Sequence, residues 1–509
     1  MDALRRFPSN RQDRVFLSCF ALLKLVIHLP VLTRYGYHHD ELYFLACGRH
    51  LAFGYVDHAP IVPWIARLAD ILFGQSLFGL RIFSALAGAV AVFLTGLLTL
   101  RLGGGRFAQA VACLAMIVAP VYLRTNNMFC IPAFELPLWI LGAYLLTRII
   151  QEGRGRLWLW VGVVTGVGLM TKHSMLFFGF GLAAALVLTE QRKQLKSPWL
   201  YSGGALAVLL FLPNLIWQIT HGWPTLDFLR HLNEGTMSGI SALQFTIGQV
   251  LYLNPLAAPV WIGGLVYFFS ARGNPYRILG WMYVCLFLLL LVLKSKIYYL
   301  ALAYPALLAG GGLALEQTVR IKARDWLRPV ALGMLAAGGV VILPLALPIL
   351  SMESMEAYVT VTTFGAFKNV YELTGDLHGM FGWKERVSAI ADVYHRLTPD
   401  EKRRTIILSG WYGPAGAVDY FGGAYGLPNA VSGHMSYYLW GLPEGPIDLA
   451  LAVDIPRAAL QDLFEEISLG GQVTLEHVRP SERRFGILVC RKPRVDLHSA
   501  WPRARNFGF

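Results

Sequence analysis

Long apolar runs alternate with short polar breaks through residue 350, and then the pattern changes. Runs long enough to cross, or nearly cross, a bilayer core of about 30 Å fall near 15–34, 81–100, 107–123, 132–150, 157–171, 174–189, 199–219, 247–269, 277–293, 297–315 and 329–350. They predict about eleven transmembrane helices. After 351, charged residues, glycine and proline return, and no run is long enough to span. There RTIILSG (404–410), DLALAVD (448–454) and FGILVC (485–490) predict buried strands, while KERVSAIADVYHRL (384–397) and PRAALQDLFEEI (456–467) carry helical periodicity. The pattern predicts a polytopic α-helical membrane region, 1–350, followed by a small soluble α/β domain, 351–509. No internal repeat or low-complexity segment interrupts it.

Composition agrees. Of the 509 residues, 55% are hydrophobic and only 15% charged, with a mean hydropathy of +0.50, too apolar for a soluble globular chain. The net charge of +13 sits mostly in short Lys/Arg tufts between apolar runs, which reads as topology signal rather than a nucleic-acid footprint. If the N-terminus, with Arg5, Arg6, Arg11 and Arg14, is cytoplasmic, every second connection should be basic. RLGGGR (101–106), RIIQEGRGR (148–156), EQRKQLK (190–196), ARGNPYR (271–277) and the 316–328 loop all are. That leaves the 35–80 loop, the 124–131 turn, the 220–246 loop and the tail outside the cytoplasm. The first run lacks a small-residue cleavage site and is expected to stay as a span. The six cysteines are scattered, in neither a disulfide nor a metal-ligand spacing.

The stretch HHDELYFLACGRHLAFGYVDHAPIVPW (38–64) then carries the chemistry. Asp40 and Glu41 lie just past the first span on the outer face, with Asp57 and His58 a short loop further on. No ATP or nucleotide sugar exists there, so group transfer needs a donor carried in the membrane. A carboxylate at the rim of a bilayer cavity has the properties of a general base, its pKa raised by burial and by a neighbouring acid. The plainer reading is ordinary interfacial polarity.

The DE pair followed by GRHLAFGYVDHAPIVPWIARL resembles the first outer loop of the GT-C superfamily of polytopic glycosyltransferases. The likeness is to the bacterial branch related to protein O-mannosyltransferases and lipid A aminoarabinose transferases. It continues through NNMFCIPAFELPLWIL (126–141), GLMTKHSMLF (168–177), FLPNLIWQITHGWPTLDFL (211–229), KIYYLALAYPALLAGGG (296–312), YGPAGAVDYFGGAYGLP (412–428) and SGHMSYYLWG (432–441). The resemblance implies transfer of one sugar from a polyprenyl (undecaprenyl) phosphate donor to an acceptor hydroxyl on the outer face of a bacterial inner membrane, with inversion. The acceptor class stays open between lipid A, another glycolipid, a polysaccharide and a protein; nucleic acid is not expected.

Within that resemblance Asp40 is the candidate base, Glu41 shapes its field or positions the acceptor, and Glu135 is a second carboxylate or, after Pro132, a helix-start acid favoured by the dipole. The departing phosphate needs cations. His58, beside Asp57, either faces it or is simply solvated. Lys172 and His173, and Lys294 and Lys296 before Tyr298 and Tyr299, are candidate phosphate clamps or snorkelling bases in an aromatic belt. His221, with Asp227, Arg230 and His231, belongs to the donor or acceptor approach or to an interfacial amphipathic helix. Lys24 and His28 share one face of the first span. SGWYGPAG (409–416) reads as a tight turn rather than a phosphate loop, and His434 as a sugar-stacking edge or a packing residue. No cofactor is specified; Asp40, Glu41, Asp57 and His58 leave a divalent metal open, without an established ligand spacing. The rival readings are a lipid-linked substrate transporter, which predicts inverted repeats, and a non-catalytic glycolipid-binding relative.

Overall fold

The computed structural model describes residues 11–235, 240–365 and 375–508. Arg5 and Arg6, part of the topology argument, lie outside them. The chain folds as two compact units: Met1–Leu32, Leu80–Trp217 and Thr236–Leu350 form one, and Thr33–Gly79, Gln218–Gly235 and Ser351–Phe509 form the other.

The first unit is helical. Among the described residues, seven helices are long and apolar enough to cross a membrane: Arg11–Val31, Leu77–Arg101, Ile131–Glu152, Pro198–Thr220, Asn274–Val292, Ile297–Ile321 and Leu327–Ala346. Three further apolar runs are broken pairs: Arg106–Val118 with Pro120–Asn127, bent by 60°, Met175–Leu188 with Glu190–Lys196, by 109°, and Ala242–Tyr252 with Pro255–Phe269, by 87°. Counting each pair as one span gives ten, and the eleventh expected run, Leu157–Thr171, is a shorter helix. The breaks have local causes. Pro120 and Pro255 have no N–H to continue the preceding helix, and Thr189, in extended backbone, caps the new turn by accepting Gln191 N–H. Close packing relies on small residues: a Cβ on Gly264 would stand 1.9 Å from Leu307 O, and one on Gly311 1.9 Å from Val260 O. Buried Lys24 is satisfied by donating to Tyr122 O at 3.0 Å.

The second unit contains a five-stranded sheet of order β2-β1-β3-β5-β4, with β1 Thr405–Ser409, β2 Ala430–Ser432, β3 Leu449–Val453, β4 Phe464–Thr474 and β5 Arg484–Pro493. β1 runs parallel to β2 and β3, and β5 antiparallel to β3 and β4. Three strands and the helix Trp383–His395 fall where the sequence pattern puts them. The expected helix over 456–467 is instead one turn, Arg457–Leu460, followed by β4. Ladder bonds to β5 from Phe464 onward outweigh the short stretch of helical periodicity. The sheet's core is Ile406, Val431, Ala450, Ala452, Phe464 and Cys490.

Candidate active site

The second unit gathers the loop 33–79 carboxylates beside residues of the tail. His38 is extended and caps the helix His39–Arg49: its Nδ1 accepts Asp40 N–H at 3.2 Å, while Glu41 Oε2 accepts His38 N–H at 2.8 Å. This is a capping box in which a histidine takes the usual serine or threonine place. It consumes Glu41, which is fully buried. Asp40, one residue back and so about 100° around the helix, points elsewhere and keeps 38% of its side chain exposed. The two adjacent acids therefore differ in partners and exposure.

Tyr412, from the helix Tyr412–Phe421, donates its hydroxyl to Asp40 Oδ1 at 2.6 Å. His39 Nε2 stands 3.5 Å from the same oxygen and His38 Nδ1 3.6 Å from Oδ2. Burial, helped by His38, pushes His39 down to about 3, so it meets Asp40 as a neutral ring. His38, His39 and Asp40 offer metal-type donors within 4.8 Å of one another. Because His38 Nδ1 already accepts the Asp40 amide, His39 Nε2 and the Asp40 carboxylate are the donors a divalent ion would meet.

A parallel arrangement holds Asp57. Tyr43 Oη lies 2.9 Å from Asp57 Oδ1 and 2.8 Å from Ser436 Oγ. A carboxylate only accepts, so Tyr43 donates to Asp57 and Ser436 donates to Tyr43. Ser436 Oγ in turn accepts Val56 N–H at 3.1 Å. The rings of Tyr43 and Tyr412 stack at 4.5 Å and 21°, and His434 stacks behind Tyr412 at 5.3 Å and 22°. Two stacked phenols thus each hold one carboxylate. Burial drives both phenols well above their ordinary range, so they act as donors, not as phenolates.

Helix packing sets this up. A Cβ on Gly416 would lie 3.0 Å from the Leu42 carbonyl carbon, so the glycine lets Tyr412–Phe421 lie close against His39–Arg49. Below it, Asp419 accepts Ala430 N–H at 2.8 Å and the Tyr437 hydroxyl at 2.7 Å, and burial pushes its carboxyl up to about 6.

Several expected roles change. His58 is fully buried, not solvated: its Nδ1 donates to Ala59 O at 3.1 Å, and its Nε2 sits 3.8 Å from both Cys47 Sγ and Asp57 Oδ1. His434 is buried with Nε2 on Gly508 O at 2.9 Å, which makes it a packing residue behind Tyr412. SGWYGPAG is not a tight turn but the passage from β1 into the helix Tyr412–Phe421. His221 is exposed at the end of Pro198–Thr220, beside Thr220 Oγ1, and Asp227 pairs with Arg505 at 2.6 Å.

The membrane unit holds the remaining candidates. Glu135 does not begin a helix; Ile131–Glu152 starts four residues earlier, and Glu135 is buried, accepting Ser174 Oγ at 2.7 Å and Trp139 Nε1 at 3.3 Å. Lys172, at the break after Leu157–Thr171, lies near enough to act on Glu135 electrostatically. Its ammonium sits 4.6 Å from the Tyr299 ring centre and 5.8 Å from that of Tyr298. His173 Nε2 meets buried Asn214 Oδ1 at 3.0 Å. Lys294, with φ 49°, is exposed, and Lys296 is half-buried. Tyr412, Tyr43, Ser436 and Asp419 have no spacing that marks them as functional. Their partners lie up to 393 residues away.

Residues 57–217 match the family described as dolichyl-phosphate-mannose-protein mannosyltransferase. An undecaprenyl phosphate-alpha-4-amino-4-deoxy-L-arabinose arabinosyl transferase 1 of Pseudomonas fluorescens is 32% identical over 213 residues, covering 39% of this chain and 38% of that protein. The corresponding transferase of Pseudomonas aeruginosa is 26% identical over 328 residues, 60% of this chain and 59% of that one. The chain thus spans less than two thirds of these curated relatives. The crystal structure of ArnT from Cupriavidus metallidurans in the apo state superposes with a TM-score of 0.61 at 16% identity, covering 92% of this chain and 97% of that one; the undecaprenyl phosphate-bound form gives 0.59. Together these describe a multi-span helical membrane protein with an ArnT-like fold. Its sequence is similar over part of its length to the mannosyltransferase family and to the aminoarabinose transferases.

Proposed function

We propose that the protein is a glycosyltransferase that moves one sugar from a polyprenyl-phosphate carrier to an acceptor hydroxyl on the outer face of the bacterial inner membrane. The N-terminus is cytoplasmic and the second unit extracytoplasmic on this reading. The observation that carries it is Asp40: a part-exposed carboxylate oriented by the Tyr412 hydroxyl at 2.6 Å, in a chain related to lipid-linked sugar transferases.

With Oδ1 engaged by Tyr412, Asp40 Oδ2 takes the proton of the acceptor hydroxyl. The acceptor oxygen forms a bond to the anomeric carbon while the bond to the carrier oxygen breaks, and the carrier leaves as a phosphate monoester. Attack from the side opposite the phosphate inverts that carbon. Negative charge grows on the leaving oxygens, and Lys172, flanked by Tyr298 and Tyr299, is the cation assigned to them, with His173, Lys294 and Lys296 as further candidates. Asp57 orders the loop through Tyr43, and Glu41 fixes the helix start that aims Asp40. Glu135 serves as counter-charge to Lys172. A divalent ion, if used, would meet His39 Nε2 and Asp40, and would orient the acceptor oxygen.

The test is Asp40→Asn, assayed for transfer from polyprenyl-phosphate sugar in membranes with matched protein. Loss of a general base lowers the rate by roughly a hundredfold or more. Wild-type transfer in the variant rules out the assigned role.

A further inference from the structure

The membrane unit contains a cavity of about 230 Å³ that takes no part in the proposed transfer. It sits where Met175–Leu188 ends and the chain bends by 109° into Glu190–Lys196, against the start of Asn274–Val292. Lys172 lies before the other end of Met175–Leu188, a 14-residue helix that rises about 20 Å. The volume is below the ~300 Å³ at which pockets for drug-sized ligands begin, so it suits a headgroup.

The lining has both signs of charge and two unmatched polar atoms. Arg192 and Arg277 contribute guanidinium groups and Glu190 a carboxylate. Among the described residues, the buried Arg277 Nε finds no acceptor and the Gln191 Oε1 no donor, although Gln191 is more than nine-tenths buried. An unpaired buried donor and an unpaired buried acceptor on residues that line one cavity cost free energy unless a ligand meets them. A phosphate oxygen would satisfy Arg277 Nε, and an ammonium N–H would satisfy Gln191 Oε1 and face Glu190. At the rim, Val187 and Leu188 are 61% and 51% exposed at the end of an apolar membrane-crossing run, where a lipid's glycerol and chains would continue.

We infer that this cavity is a binding site for a zwitterionic phospholipid headgroup of the phosphoethanolamine type. On the topology proposed above it belongs to the cytoplasmic leaflet. The phosphate end is shared with anionic phospholipids, with a polyprenyl phosphate and with free phosphate; Glu190 and Gln191 distinguish the ammonium-bearing headgroup from all three.

The experiment is native mass spectrometry of the full chain released from vesicles of equal phosphatidylethanolamine and phosphatidylglycerol, with separate additions of polyprenyl phosphate and of inorganic phosphate. Phosphatidylethanolamine should be retained roughly tenfold over phosphatidylglycerol, the size of one charge-assisted contact. Glu190→Gln, at an exposed position that folding tolerates, should abolish that preference while lipid is still retained. Arg277→Gln should lower retention of both lipids. Equal retention of the two lipids by the wild type, preferential retention of polyprenyl or inorganic phosphate, or unchanged preference in Glu190→Gln overturns the inference. None of these readouts depends on sugar transfer, so the site and the proposed reaction fail independently.

Discussion

The carboxylates of the two units are held in opposite ways. Asp40 and Asp57 are each gripped by a tyrosine hydroxyl in a stack that joins the 33–79 segment to the tail, and Asp40 stays 38% exposed. Glu135 is 1% exposed and is held by groups nearby in the chain, Trp139 one turn on and Ser174 after the next helix, with Lys172 and two tyrosine rings beside it. The first arrangement keeps a carboxylate part-exposed. The second leaves a cation on an aromatic bed. A base needs access, whereas a charge that stabilises a leaving anion gains strength from being enclosed.

Breaking the first arrangement should have the largest effect. Gly416→Val places branched carbons where even a Cβ is 3.0 Å from Leu42 backbone, so the two helices must separate and Tyr412 must withdraw from Asp40. Transfer should fall to background, and the tail should become more sensitive to limited proteolysis. Wild-type rates in this variant would mean the stack has no part in the chemistry. In the second arrangement, Lys172→Met removes the charge and keeps most of the stem. Transfer should drop roughly ten- to a hundredfold, the range for a charged contact of about 1.5–3 kcal/mol, with Lys172→Arg recovering part of it. A loss confined to KM for the carrier indicates ground-state binding, and a loss in kcat indicates stabilisation of the leaving phosphate.

The smallest effect sharpens the first side. The Asp419 carboxyl is raised by burial from 3.8 to about 6. Between those values the unfolded chain has lost its proton and the folded one has not. Stability from this group is therefore full below 3.8 and declines as pH rises through about 6. Asp419→Asn should flatten that part of the pH dependence in a thermal-shift series; an unchanged slope would show that Asp419 is not its source.

Much of the membrane unit was legible because apolar length and basic tufts are local signals. The breaks at Pro120, Thr189 and Pro255 were not, since hydropathy measures burial and not direction. β1, β3 and β5 follow from short apolar runs, whereas β4 was concealed by PRAALQDLFEEI, whose helical periodicity ends after one turn. In the candidate site, the DE pair in the sequence did not show that its two acids are held differently. The difference comes from the cap, in which His38 and Glu41 bond each other's end of the turn. His58 read as a loop histidine because nothing local shows the Tyr43, Phe44 and Tyr55 rings that cover it. Tyr412 and Ser436 were hidden for the same reason: their meaning lies in contacts more than 370 residues apart in sequence.

The most direct test of the central claim, that Tyr412 holds Asp40 as the base, is a double-mutant cycle of Asp40→Asn and Tyr412→Phe read as transfer rate. Tyr412→Phe keeps the ring stack and removes only the hydroxyl, so alone it should lower the rate roughly ten- to a hundredfold. In the Asp40→Asn background it should have almost no further effect. Two losses that multiply in full would mean that the residues act independently and would contradict the account.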